Sequence, residues 1–213
     1  MMRVSAFSCG VVPSLIGLIA LGLGGGCVRS IQPVLKDEQL ITDAHFAGDW
    51  VSSDGKQTAH IVQADEHKGY AVRYSDQDGK PGDFAVKLGK VGDITIGQCT
   101  VEKLDPQIGD MTKIHLLPVY SFAVIEQTDP HLVFKVLDDK WFGKYIDAHP
   151  DEVPTIHMGT GDDEQLLFSG STDQVQAFIL KHVKDDGAFG DDVVFVRPGD
   201  PSTQPAAGPA TKP

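Results

Sequence analysis

Acidic side chains come closest to forming a ligand set in this chain. Asp76, Asp78 and Asp83 surround Gly79 in the segment DQDGKPGD. Calcium loops place oxygen donors at alternating positions, with a glycine at the bend and a closing glutamate. The third ligand position is glycine and no glutamate follows at the required distance, so the segment predicts an acidic hairpin loop. Asp162, Asp163 and Glu164 read the same way. The eight histidines are scattered. His149 and His157 are separated by Asp151 and Glu152, but no HExxH pair and no Cys–His spacing assembles a zinc site. His60 and His115 fall inside strand-like runs and read as sheet histidines, with the alternative that they line a cavity together. No serine occupies a G-x-S-x-G setting; Ser169 and Ser171 flank Gly170 as a turn residue and a helix cap. No glycine loop is built to cradle phosphate. The sequence therefore assigns no catalytic residue, no metal site and no cofactor.

The cysteines separate into two kinds. Cys99 is the single cysteine after Cys27, and with only Lys103 near it in sequence it reads as a small buried apolar residue rather than an activated thiolate. Cys27 ends a different pattern. Arg3 supplies a positive start, residues 11–23 form an apolar run, and Gly24, Gly25 and Gly26 lead into Cys27. A charged start, a short apolar stretch and small residues at the exit mark a secretory signal peptide, and the run falls short of the roughly 20 residues of a membrane span. The segment resembles the lipobox of bacterial lipoproteins, in which small residues precede a cysteine that is diacylated and becomes the new N-terminus. Gly25 and Gly26 fit the two positions before the cysteine, and Gly24 stands where leucine is usual. The resemblance implies a signal peptide over residues 1–26 and lipidation of Cys27 with fatty acids such as palmitate. It also implies an exported protein held on a bacterial membrane, facing the periplasm or the exterior. Two or more acyl chains hold a protein firmly where one binds reversibly.

Charge points the same way. Eighteen Lys and Arg face 30 Asp and Glu, a net charge of −12. Such a surface repels nucleic acid and anionic headgroups, which excludes nucleic acid as a partner and leaves lipid as the membrane attachment. Residues 198–213 (PGDPSTQPAAGPATKP) have no apolar periodicity and many prolines, and are expected to be a disordered tail. Residues 27–44 are expected to be the lipidated N-terminus and a tether with one short helical turn. A single β-rich domain is then expected over residues 45–197.

Within that domain, period-two alternation predicts half-buried strands. Tyr70, Val72 and Tyr74 face one way, and Phe84, Val86 and Leu88 repeat the pattern. So do Ile94 and Ile96, and Leu132, Phe134 and Val136. Asp54-Gly55 and Asp78-Gly79 are hairpin turns between such runs. Residues 111–126 are the most apolar stretch and carry Pro118, which marks an edge, bend or bulge. One helix is predicted from an Asp138 or Asp139 cap through Ala148, and a second from a Ser171 or Thr172 cap, with Val175, Phe178, Ile179 and Val183 as its apolar stripe. A last strand is expected over residues 193–197. The fold class is mainly β or α+β: an antiparallel meander sheet, strongly curved or barrel-like, with two short helices on it or closing one end. Trp50 and Phe178 are expected to be buried in one shared core.

Gly48-Asp49-Trp50 opens the first of these strands. The triplet resembles the Gly-x-Trp element of lipocalins and related small barrels. In those proteins the tryptophan plugs the closed end and an arginine from a late strand stacks on it. By this resemblance Arg197 is the partner of Trp50, although it follows the second helix, where the family places its arginine before one. The domain as a whole is similar in pattern to bacterial lipoproteins of its size. Three functions follow as expectations, the third being a hydrolase whose site assembles from distant residues, for which no motif speaks. The first is a lipid-anchored envelope protein acting as an interaction or accessory module toward another envelope protein. The alternative is a lipocalin-like binder of a small apolar ligand.

Overall fold

The computed structural model describes residues 28–64, 69–103, 116, 118–159 and 165–200. Cys27, the signal-like segment before it, His115, Asp162, Asp163, Glu164 and residues 201–213 lie outside them. The strands are β1 (Arg29–Ser30), β2 (Leu40–Ile41), β3 (Gly48–Ser52), β4 (Thr58–Gln63), β5 (Gly69–Ser75) and β6 (Pro81–Val91). They continue with β7 (Ile94–Val101), β8 (Tyr120–Gln127), β9 (Leu132–Lys135), β10 (Thr155–Met158), β11 (Gln165–Phe168) and β12 (Val193–Val196). The helices are α1 (Asp139–Ala148) and α2 (Thr172–His182). No helix among the described residues is long and apolar enough to cross a membrane.

Short connections join the neighbours of the meander except between β7 and β8, where residues 102–119 intervene. Strands β3 to β9 follow one another as antiparallel neighbours. Gly55 and Gly79, at φ +75° and +73°, make the expected turns. The chain then leaves the barrel for α1, β10, β11 and α2, and returns as β12. That strand pairs with β9 on one side and β3 on the other, which closes an eight-stranded barrel. Closure removes open edges from these strands. β8 is shared between two structures. Its Tyr120 and Ser121 pair with β1, and its Val124 and Ile125 pair with β9. Through β1 the sheet extends to β11 and then β10, an edge strand.

The helices start where their caps place them. The Asp138 side chain accepts from the Trp141 amide at 2.6 Å, and Ser171 and Gln174 form a capping box. Both helices pack on the outer face of β7 and β8, around Phe142, Phe168, Val175, Phe178 and Ile179, together with Ile96, Phe122 and Val124. The barrel interior forms a second cluster with Trp50, Phe46, Ile61, Tyr70 and Phe195. Trp50 is 1% exposed and Phe178 is 3% exposed, but they lie in different cores, contrary to the expectation of a shared one. The reason is that β7 and β8 bury both faces. Ile96, Phe122 and Val124 meet the helices, while Gly97, Cys99, Ala123 and Ile125 face the interior.

The segment after Cys27 also differs from expectation. Its helical turn exists at Asp37–Gln39, yet Val28, Val34, Leu35 and Leu40 are buried in the helix-side core. Buried Gln98 accepts from the Val34 and Leu35 amides at 2.5 and 3.0 Å, and Gln176 donates to the Val34 carbonyl at 2.7 Å. Gly89 makes room for it, since a Cβ there would come within 2.7 Å of Leu35. Residues 28–41 are therefore part of the folded unit and no tether.

Candidate functional site

The chemistry-capable residues of the acidic hairpin are engaged locally. One Asp76 carboxylate oxygen accepts from the amides of Asp78 and Lys80, both at 2.9 Å. Asp78 pairs with Lys80 at 3.2 Å and Asp83 with Arg73 at 3.5 Å. His60 is exposed, with its Nδ1 2.6 Å from Asp49, and is not among the residues lining the barrel pocket; His115, its candidate cavity partner, lies outside the described residues. His149 closes α1 with its Nδ1 3.0 Å from the Tyr145 carbonyl oxygen, while His157 is exposed on β10. Ser171 is a helix cap. These residues are not brought together.

Glu152 turns to α2 instead. Lys181 donates to it at 2.5 Å, which holds the Glu152 carboxyl below its ordinary range and the lysine above its own. Beside them lies His182, a residue that no spacing in the sequence marks. Its side chain is 4% exposed, with Nδ1 2.6 Å from Asp185 and Nε2 3.8 Å from Glu152. Trp141, Tyr145 and Phe178 wall in the ring at centroid distances of 5.4, 4.5 and 4.5 Å. This packing joins α2 to α1 and leaves the imidazole no route to a substrate. A groove of about 660 Å³ runs past the end of α2. Its lining mixes Lys90, Lys135 and Lys184 with Asp93, Glu126 and Asp185, so it presents no field of one sign.

The barrel interior is different in kind. It holds a pocket of about 180 Å³ lined by apolar side chains and open to solvent, with Tyr74, Val86, Cys99, Ala123, Ile125 and Phe134 of its lining half-buried. Gly97 and Ala123 lie directly opposite each other on β7 and β8. With Cys99 they form a wall of small residues. Phe134 and Phe195, stacked at 6.1 Å and 23°, contribute flat aromatic surface elsewhere in the lining, with Phe46, Ile61 and Val72. Among the described residues, no Asp, Glu, Lys, Arg or His lines it. Cys99, expected to be a small buried residue, is half-buried and is a wall group of this cavity.

Trp50 fills the interior next to this space, its indole N–H donating to the Phe46 carbonyl at 3.0 Å. The Arg197 guanidinium lies 3.7 Å from the centre of the Trp50 ring. Its two terminal nitrogens donate to the carbonyls of Ala47 and His45 at 3.0 and 2.8 Å. The planar fork thus covers the indole face and ties the chain before β3 to the end of β12. Gly48 is the condition for this arrangement. Its φ is +121°, and a Cβ there would collide with Arg197 Nη1. Tyr70 braces the same region. Its hydroxyl donates to the Asp43 carbonyl at 2.9 Å and accepts from the Asp43 amide at 2.7 Å, and burial raises its pKa above the ordinary 10.0.

Comparison of the chain with models of protein families, with curated proteins and with solved structures gives no match.

Proposed function

We propose that this protein binds a small apolar molecule inside its barrel and is carried to the outside of a bacterial membrane by lipid on Cys27. The observation that carries the reading is the apolar cavity inside a closed barrel. The Gly48–Trp50–Arg197 arrangement supports it, because it resembles the end plug of lipocalin-like barrels. Pockets for small molecules are typically concave, mainly apolar and largely preformed. The test is to purify the protein from its host, denature it and analyse the organic extract by mass spectrometry. An apolar compound near one equivalent is the expected result. A protein that carries nothing and takes up no apolar probe would sink the reading.

One observation favours a second reading, an interaction module. The edge strand β10 exposes Ile156 and Met158 on one face, at 42% and 49%. Exposed edges recruit further strands. Ile156→Lys with Met158→Lys would abolish co-purification of an envelope protein under this reading and leave it unchanged under the first.

A further inference from the structure

We infer that the barrel interior selects a compact, uncharged molecule about the size of one substituted aromatic ring, and rejects both carboxylates and long acyl chains. The inference rests on the interior being a binding site. Size is the first constraint. An apolar cavity of about 150 Å³ takes benzene, so about 180 Å³ admits on the order of six to ten non-hydrogen atoms. Typical small-molecule pockets are larger, about 300–1,000 Å³, and a long acyl chain exceeds this space.

Charge is the second constraint. The lining residues that carry a polar atom in the side chain are Tyr74 and Cys99, and the lining surface is almost wholly apolar. An ionised carboxylate inserted among these side chains would lose part of its water and meet no cation, which is unfavourable. Arg197 does not supply the charge, because it is not among the lining residues and its guanidinium is held against Trp50 and the carbonyls of Ala47 and His45. Shape is the third. The ring surfaces of Phe134 and Phe195 and the small side chains of Ala123 and Cys99 favour a flat group, while Gly97 admits the Ile125 side chain. Ala123 is the residue that sets the size limit, since a longer side chain there enters the void.

The test uses the purified full chain and three probes: toluene, benzoate and palmitate. Binding is read from shifts of the Ala59, Val72 and Ala123 methyl resonances. Toluene should bind at least tenfold more tightly than benzoate, and palmitate should not move these methyls. Ala123→Leu should abolish toluene binding while the melting temperature holds or rises. Cys99→Leu serves the same purpose if the first variant fails to fold. Benzoate or palmitate binding as tightly as toluene at these methyls would overturn the selectivity and leave the binding site standing. Toluene binding that survives in folded Ala123→Leu and Cys99→Leu would also overturn the inference. If no probe binds, both the inference and the reading beneath it fail.

Discussion

Gly48 and Arg197 should behave as one unit, and a double-mutant cycle measures it. In Arg197→Ala the indole loses a cation stacked at 3.7 Å and two carbonyls lose their donors. A cation on an indole contributes about 0.5–2 kcal/mol, depending on desolvation. Hydrogen bonds from a charged donor contribute about 1.5–3 kcal/mol each, but Arg197 is part-exposed and water replaces much of this. The expected cost is about 2–3 kcal/mol. Gly48→Ala places a Cβ at φ +121° and against Nη1. Backbone strain of this kind costs about 1–3 kcal/mol. The displaced guanidinium adds its own contribution, so the single change should cost about 3–6 kcal/mol. With Arg197 already alanine, only the strain remains. The two changes should therefore fall short of additivity by about 2–3 kcal/mol, well beyond the roughly 0.3–0.5 kcal/mol scatter of independent sites. Urea unfolding followed by far-ultraviolet circular dichroism is the assay, because Trp50 fluorescence responds directly to loss of the cation. Additive costs would refute the claim that Gly48 exists to admit the guanidinium.

Four further outcomes are expected. Phe178→Ala and Trp50→Ala should each cost about 3–5 kcal/mol in denaturant unfolding, while Lys184→Ala, at the rim of the surface groove, should be nearly silent. Leu35→Ala should cost about 2–5 kcal/mol by the same measurement, whereas a tether residue would give no effect. Burial raises the Tyr70 pKa above 10.0, so the neutral hydroxyl belongs to the fold. Its stabilisation is complete below pH 10 and is lost as the pH rises through the raised value. The unfolding free energy of Tyr70→Phe from urea titration should be lower at neutral pH by about 1 kcal/mol and should fall less steeply above pH 10. Cys27→Ser should move the protein from the membrane to the soluble fraction on cell fractionation, and unchanged partitioning would refute the lipid anchor.

The parts legible in the sequence were those with local causes. Both helices were readable because their caps, Asp138 and Ser171, and their apolar spacing lie within a few residues. The hairpins at Gly55 and Gly79 were readable for the same reason. The Trp50–Arg197 pair was reached only through the Gly-x-Trp resemblance, since nothing local links residues so far apart. The cavity left no trace, because it depends on side-chain volumes summed over many strands. Gly97, Cys99 and Ala123 are small enough to look neutral in an alternation, yet they form its wall. Strands β1 and β2 are two residues each, too short for any period, and β10 and β11 are four each. The groups that pin residues 34–39, Gln98 and Gln176, are buried glutamines that a hydrophobicity pattern assigns to the surface. The single-core expectation failed because β7 and β8 are apolar on two faces, where a half-buried strand was assumed.

That two-faced wall bears on why the interior is hollow. Ile96, Phe122 and Val124 are held from outside by the helix-side cluster, so the wall needs no filling from within to stay in place. A void still destabilises the fold. At about 24 cal/mol per Å³ for a sealed void, about 180 Å³ sets an upper bound of about 4 kcal/mol, which the opening to solvent lowers. One longer side chain on β7 or β8 would recover part of it, because Cys99 and Ala123 line the space with small side chains. Packing alone therefore favours a filled barrel. A compact apolar ligand recovers the same contacts without a change of sequence, and its affinity would draw on the energy that the empty fold forgoes.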